Sequence, residues 1–189
     1  MPPKIKISKQ NIIHAALNLI QKDGETALNA RALATHIGCS TQPIFSNYES
    51  METLKKDVIH SAYELYQEYV ISETNTNNYT QYKASGIAYI RFAKEEPELF
   101  KLLFMRDRSK EKIDVWDPVT ENVLGLLQKN AGFSREQAHR FHLEMWIYVH
   151  GIATMLATSY LPLDMETISG LITDAYMGLK KHYHIGEEN

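Results

Sequence analysis

The run Thr41-Gln42-Pro43-Ile44-Phe45-Ser46-Asn47-Tyr48 gathers side chains that suit a nucleic-acid surface. Hydroxyls on Thr41 and Ser46 can bond phosphate oxygens, and the Gln42 and Asn47 amides match the donor and acceptor on an adenine edge. The rings of Phe45 and Tyr48 can lie against a sugar or a thymine methyl. Ile44 is the member of the run expected to turn into the core. The surrounding charge agrees. Residues 1–48 carry Lys4, Lys6, Lys9, Lys22 and Arg31 against Asp23 and Glu25, a surplus of three, whereas the rest of the chain carries six more acidic than basic residues. A basic head on an acidic body fits a polyanion partner. Lys4, Lys6 and Thr41 should mainly touch phosphate, and Gln42 is the best candidate base reader.

Other chemistry is poorly supplied. Cys39 is the only cysteine, which rules out an intrachain disulfide and a thiolate zinc site and fits a reducing, cytoplasmic setting. Of the eight histidines, His139 and His142 stand three apart on one expected helix and His182 and His184 lie close together. No acidic residue completes a ligand motif with either pair, so neither metal nor cofactor is expected. There is no Gly-rich phosphate loop, G-x-S-x-G elbow or H-E-x-x-H, so the chain does not read as an enzyme. No apolar run approaches the roughly 18 residues of a membrane span, and the N-terminus has no apolar signal core.

The elements that position the opening run are helices throughout. Ser8 predicts an N-cap for a first helix to Asp23, with Ile13, Ala16, Leu17 and Ile20 inward and Gly24 as its stop. Asn29 caps a short helix that turns Leu33, Ala34 and Ile37 inward and that Gly38 ends; Ser40 is expected to cap a third, reaching about Asn47. Two short helices joined by a tight turn form a helix-turn-helix, here over 29–48, whose second helix is offered to the DNA major groove. A fourth helix runs from Met51 to about Glu73, and "SETNTNNYTQ" marks a linker. Further helices are expected over Tyr79–Lys94, from Pro97 with Leu99, Phe100, Leu103 and Phe104 inward, and from Asp117-Pro118 to just before Gly132. The last two run from Ser134 to about Tyr160 and from Asp164 to His182, the latter burying Ile168, Leu171, Ile172, Ala175 and Leu179. No alternating strand pattern occurs. The fold class is all-α, with about nine helices.

Residues 8–60 resemble the N-terminal domain of the TetR family of transcriptional regulators. The resemblance rests on "NIIHAALNLIQKDG" followed by "ALNARALATHIGCSTQPIFSNYESMETL", with Ala15-Ala16, Leu19, Gly24, Arg31, Leu33-Ala34, Gly38, Ser40, Ile44, Phe45, Tyr48, Ser50 and Leu54 in register. It implies a three-helix DNA-binding head over 6–66 and a larger helical body over 78–184 for ligand binding and dimerisation. The implied function is a ligand-responsive homodimeric repressor on a palindromic double-stranded operator, with a small-molecule effector. Arg31 and Lys55 join Lys4, Lys6, Thr41, Gln42, Phe45, Ser46, Asn47 and Tyr48 as DNA contacts. Phe45 and Tyr48 exchange the family's usual Tyr and Phe, and Met51 replaces a Lys that often meets phosphate, for which Lys55 or Lys56 can substitute.

In the body, "YIRFAKEEPELFKLLFM" and "MWIYVHGIATMLA" resemble the TetR subgroup with a Trp–His–Gly signature, here Trp146, His150 and Gly151. Phe100, Phe104, Met145, Trp146 and His150 are the candidate effector pocket; aromatics at helical spacing also read as plain core, and His150 as a packing residue. Gly151, Met155 and Thr158 on one helix and Gly170, Asp174 and Gly178 on the next form small-residue stripes suited to a four-helix dimer interface. The alternative is a helical ligand-binding protein or enzyme that has lost DNA binding; the retained Lys4, Lys6 and Lys9 speak against it.

Overall fold

The computed structural model of the protein describes residues 7–109 and 118–183. Lys4 and Lys6, two expected DNA contacts, lie outside the described residues, as does His184. Nine α-helices and no strand occur among the described residues: α1 (Lys9–Asp23), α2 (Ala30–Ile37), α3 (Gln42–Asn47), α4 (Met51–Asn75), α5 (Gln81–Glu95), α6 (Pro97–Phe104), α7 (Pro118–Ala131), α8 (Arg135–Ala157) and α9 (Met165–His182). They form two compact units, one of residues up to 68 with 96–106 and one of 69–95 with those from 107 onward.

In the first unit, Ser8 accepts a hydrogen bond from the Asn11 amide at 3.2 Å and starts α1. The buried stripe of α1 is Ile12, Ala16, Leu19 and Ile20, with Ile13 and Leu17 only half-buried at its edge. The expected stripe was therefore turned by about one position, because α1 packs on both α2 and α6 and its inward face centres on Ala16. Sequence position places α6 within the C-terminal body expected over 78–184. It instead packs against α1, with Leu99, Phe100, Leu102 and Leu103 buried. Periodicity shows that such a stripe is covered, not what covers it. Gly24, at φ +80°, ends α1 with its N–H donating to the Ile20 carbonyl at 2.8 Å. A Cβ there would stand 3.1 Å from the Glu98 carboxylate, so α6 adds a steric reason for glycine.

In the second unit, α5 packs along α8 and is buried over most of its circumference: Ala84, Ile87, Ala88, Tyr89, Ile90, Phe92 and Ala93 are all covered. A helix enclosed on several sides needs this composition. Phe141 is the hub of an aromatic cluster, with ring centroids of Phe133 at 5.0 Å and Tyr176 at 5.3 Å. Tyr82 joins it, its hydroxyl 3.3 Å from His142 Nδ1 and its acidity suppressed by burial. Among the described residues one carboxylate, Glu73, is buried, and Arg91 donates to it at 2.7 Å while also donating to Glu95 at 3.2 Å. Pairing is what makes a buried charge tolerable. The helix α8 stops at Ala157, short of the expected Tyr160, because Ser159 turns left-handed at φ 54°. On α9 only Ile168 and Ile172 are fully covered; Leu171, Ala175 and Leu179 are half-buried.

Two glycines separate backbone need from mere absence of a side chain. Gly38 sits at φ +79°, whereas Gly125 is mid-helix in α7 with open space around a would-be Cβ. Gly38→Ala should destabilise by about 1–2 kcal/mol through the left-handed penalty. Gly125→Ala should stabilise by up to about 1 kcal/mol. Urea midpoints of the two variants check this; equal shifts would contradict it.

Candidate nucleic-acid interface

The interface begins with a helix stop. Asn29 accepts from the Ala32 amide at 3.0 Å to open α2, and Gly38 closes it in the left-handed region. The Gly38 N–H donates to the Thr35 carbonyl at 3.1 Å and the Cys39 N–H to the Ala34 carbonyl at 2.9 Å, satisfying carbonyls that the helix end leaves open. The chain is thereby turned within four residues into α3.

The start of α3 corrects the expected role of Ser40. The helix begins at Gln42, with Thr41 in the cap position and no side-chain cap bond. Pro43, in the first turn, has no N–H to offer a cap. The next two amides, of Ile44 and Phe45, donate to the Thr41 carbonyl at 3.1 and 3.2 Å. A Ser40 cap would have sought the amide three residues on, and Pro43 has none to give.

Alternation of faces along α3 then sorts the candidates. Ile44 is completely buried, while Gln42 and Ser46 are exposed, Thr41 is half-buried and Phe45 is 49% exposed. Ser46 donates its hydroxyl proton to the Gln42 carbonyl at 2.8 Å, which leaves its oxygen free to accept. Tyr48, expected at the surface, is 3% exposed instead. Burial, and then the neighbouring Asp57 carboxylate, push its hydroxyl up to about 12. The Lys9 ammonium lies 4.9 Å from its ring centroid. Tyr48 is thus a brace between α3, α1 and α4, and exposure of its ring to DNA is corrected. Asn47 is half-buried and donates to the Pro43 carbonyl at 2.8 Å and the Ile7 carbonyl at 3.3 Å.

Among the cations, Arg31 is exposed on α2. Lys55 is paired with Glu25. Its charge is offset within the protein, and the exposed Lys56 is the better-placed substitute for the family's lysine at Met51. Asp57 and Lys9 escaped sequence reasoning as supports of α3. An acid nine residues after a tyrosine carries no local signal; the partnership exists only once α4 folds back.

Comparison with known proteins agrees with this architecture. The family model described as tetracyclin repressor-like, C-terminal domain, matches residues 82–175. The chain belongs to the TetR family of transcriptional regulators. An HTH-type transcriptional regulator of Bacillus subtilis (strain 168), YobS, is 18% identical over 172 residues, covering 90% of each chain. Among solved structures, a TetR-like transcriptional regulator from Rhodococcus sp. RHA1 superposes with a TM-score of 0.67 at 13% identity, over 99% of this chain and 100% of that one. A TetR-family regulator from Vibrio parahaemolyticus gives 0.62 at 15% identity, over 90% and 97%. Like its family, the protein is a DNA-binding transcriptional regulator, and the family is regulatory rather than enzymatic.

The TetR body places the remaining candidates less simply. Phe100 and Phe104 are in the first unit, ring centroids 5.3 Å apart, and Phe100 is completely buried. Met145, Trp146 and His150 are in the second; Met145 is 3% exposed whereas Trp146, the next residue round α8, is 45% exposed. Trp146 stacks on His150 at 5.1 Å, and His150 Nδ1 lies 2.8 Å from the Tyr89 hydroxyl, with burial lowering its basicity. Met145 and Trp146 thus face different sides of α8, and Met145 and Phe100 are covered as core residues are. A cleft of 340 Å³ in the second unit is lined by Lys94, Leu156, Ser159, Leu161, Pro162, Leu163 and Asp164, none of them among the five. Among the described residues no metal-holding cluster occurs and no helix is long and apolar enough to cross a membrane.

Adjacent residues of α3 should behave oppositely. Ile44→Ala should cost about 2–5 kcal/mol because it empties a buried site. Phe45→Ala should stay within about 0.5 kcal/mol of the parent yet weaken DNA binding. Thermal melts with a DNA-binding assay on the same samples check this; a large melting loss for Phe45→Ala would contradict the outward placement.

Proposed function

We propose that the protein is a ligand-responsive homodimeric repressor that acts in the cytoplasm, reading a palindromic operator with one α3 in each half-site. The observation that carries the reading is the outward set on α3. Gln42, Phe45 and Ser46 are exposed on a short helix that follows a left-handed turn, while Ile44 from the same helix is buried. Gln42 offers an amide to adenine, Phe45 an apolar surface to a thymine methyl, and Thr41, Ser46 and Arg31 bonds to phosphate. Lys4 and Lys6 add positive charge from the N-terminal side.

Two-fold pairing is supported by α8 and α9. Met155, Thr158, Gly170, Asp174 and Gly178 are exposed and Gly151 is half-buried. A Cβ at Gly151, Gly170 or Gly178 would meet open space. Leu143 and Ile147 continue the α8 stripe and Met177 the α9 stripe, each large, apolar and exposed. Such area on neighbouring helices suits a self-complementary interface. Trp146, His150 and Gly151 keep the Trp–His–Gly subgroup as our reading of the body. The effector is a small molecule taken up by that body, and its binding and DNA binding weaken each other reciprocally.

Ile147→Glu places a charge in each copy of the interface and should give a monomer by sedimentation, where the parent is a dimer. A monomeric parent at micromolar concentration with DNA present would contradict the pairing. On DNA, Gln42→Ala should cost about 1–3 kcal/mol on the preferred sequence and little on random duplex. Arg31→Ala should weaken both alike and shallow the slope of log affinity against log salt by about one. Salt titrations of both variants on both duplexes decide between base reading and backbone contact. Equal loss from Gln42→Ala on the two duplexes would remove it as a reader.

A further inference from the structure

The outward face of α3 is short of hydrogen-bond donors. Gln42, Phe45 and Ser46 stand at i, i+3 and i+4 on it, and all three are exposed. Ser46 has a single proton, which goes to the Gln42 carbonyl at 2.8 Å. A bond from Ser46 to phosphate uses that same proton, so in neither arrangement is it left for a base. Asn47 is closed in a similar way. Its Nδ2 donates to the Pro43 carbonyl at 2.8 Å and to the Ile7 carbonyl at 3.3 Å, which commits both amide protons. Phe45 has no donor, and Tyr48 is buried. The Gln42 amide is exposed, and its side chain bonds nothing among the described residues. From Gly38 to Ser50 the sequence holds no lysine or arginine.

This shortage sorts the bases. Guanine shows the major groove two acceptors, N7 and O6, and is read by an arginine or lysine that donates to both. A hydroxyl such as that of Ser40 or Thr41 has one proton to give. Adenine shows an acceptor and a donor, which match the two edges of the Gln42 amide. Thymine adds a methyl group, which matches the bare ring of Phe45. Side chains at i and i+3 stand about 5–6 Å apart and stacked bases about 3.4 Å apart. Gln42 and Phe45 therefore address base pairs a step or two from each other.

We infer that α3 excludes guanine and selects an A·T core in each half-site. Gln42 takes an adenine, and Phe45 takes the methyl group of a thymine a step or two away. Any guanine contact falls to cations off α3, such as the exposed Arg31 and Lys56. The inference rests on the DNA-binding reading above and adds to it which bases the protein selects.

Base analogues test it on the full-length protein. The parent enriches duplexes from random DNA, and repeating the selection with Gln42→Ala and with Phe45→Ala marks the positions that each side chain reads. Both side chains are exposed, so neither change empties the core. The marked positions should be A·T pairs. In the enriched duplex, purine deoxyriboside in place of the marked adenine removes its amino group, and deoxyuridine in place of the marked thymine removes only the methyl. The first analogue should weaken the parent about tenfold and Gln42→Ala less than about twofold. The second should weaken the parent about threefold and Phe45→Ala less than about twofold. G·C pairs at the marked positions, no marked position, or an analogue that affects parent and variant alike would overturn the inference. A parent that enriches no sequence and binds no duplex refutes the DNA-binding reading itself; a parent that enriches a motif without the A·T core refutes only the base assignment.

Discussion

A helix of six residues cannot hold itself together in water, and α3 has six. Too few backbone bonds form to repay the ordering of its turns. Whatever α3 presents outward therefore depends on what its inward residues hold. Ile44 supplies the apolar anchor, fully buried, and Tyr48 closes the far end beneath Lys9 and beside Asp57. Removal of a buried isoleucine from water alone contributes about 1.5–3 kcal/mol, comparable to everything a helix of this length could gain by itself.

That constraint explains the division of labour along Thr41–Tyr48. Residues at the two ends of α3 are spent on structure: the Thr41 carbonyl takes two amides, Asn47 binds backbone carbonyls and Tyr48 packs. The middle of the outward face, Gln42, Phe45 and Ser46, is left for a partner. Recognition by so few side chains yields modest discrimination, about 1–3 kcal/mol for each well-made base contact. A regulator built this way gains by presenting two copies of α3, and in the dimer proposed above the exposed faces of α8 and α9 would supply the pairing.

The sequence disclosed the helices well because their boundaries are local chemistry. Asn29, Gly38, Ser134 and Asp164 all act at helix ends within a turn of themselves, and the periodic apolar stripes mark covered faces. What it did not disclose is which side chain meets which across the fold. Ser40 looked like a cap until Pro43 removed the donor it would have met; Lys55 looked like a phosphate contact until Glu25, thirty residues earlier, was brought beside it. Tyr48 and Asn47 carry DNA-compatible side chains that tertiary packing redirects inward. The candidate pocket residues are separated for a related reason: Met145 and Trp146 are neighbours in sequence, but a helix sends them about 100° apart, one covered and one exposed.

The proposed regulation requires α3 to read DNA in two symmetric copies. Repeated selection of duplexes from random DNA by the purified full-length protein addresses this most directly. The predicted result is an inverted repeat with half-site centres about one helical turn, 34–36 Å, or a multiple of it apart. A Gln42→Ala protein should enrich a motif relaxed at corresponding positions of both halves. Enrichment of a single unpaired motif, or none above the starting pool, would contradict the account.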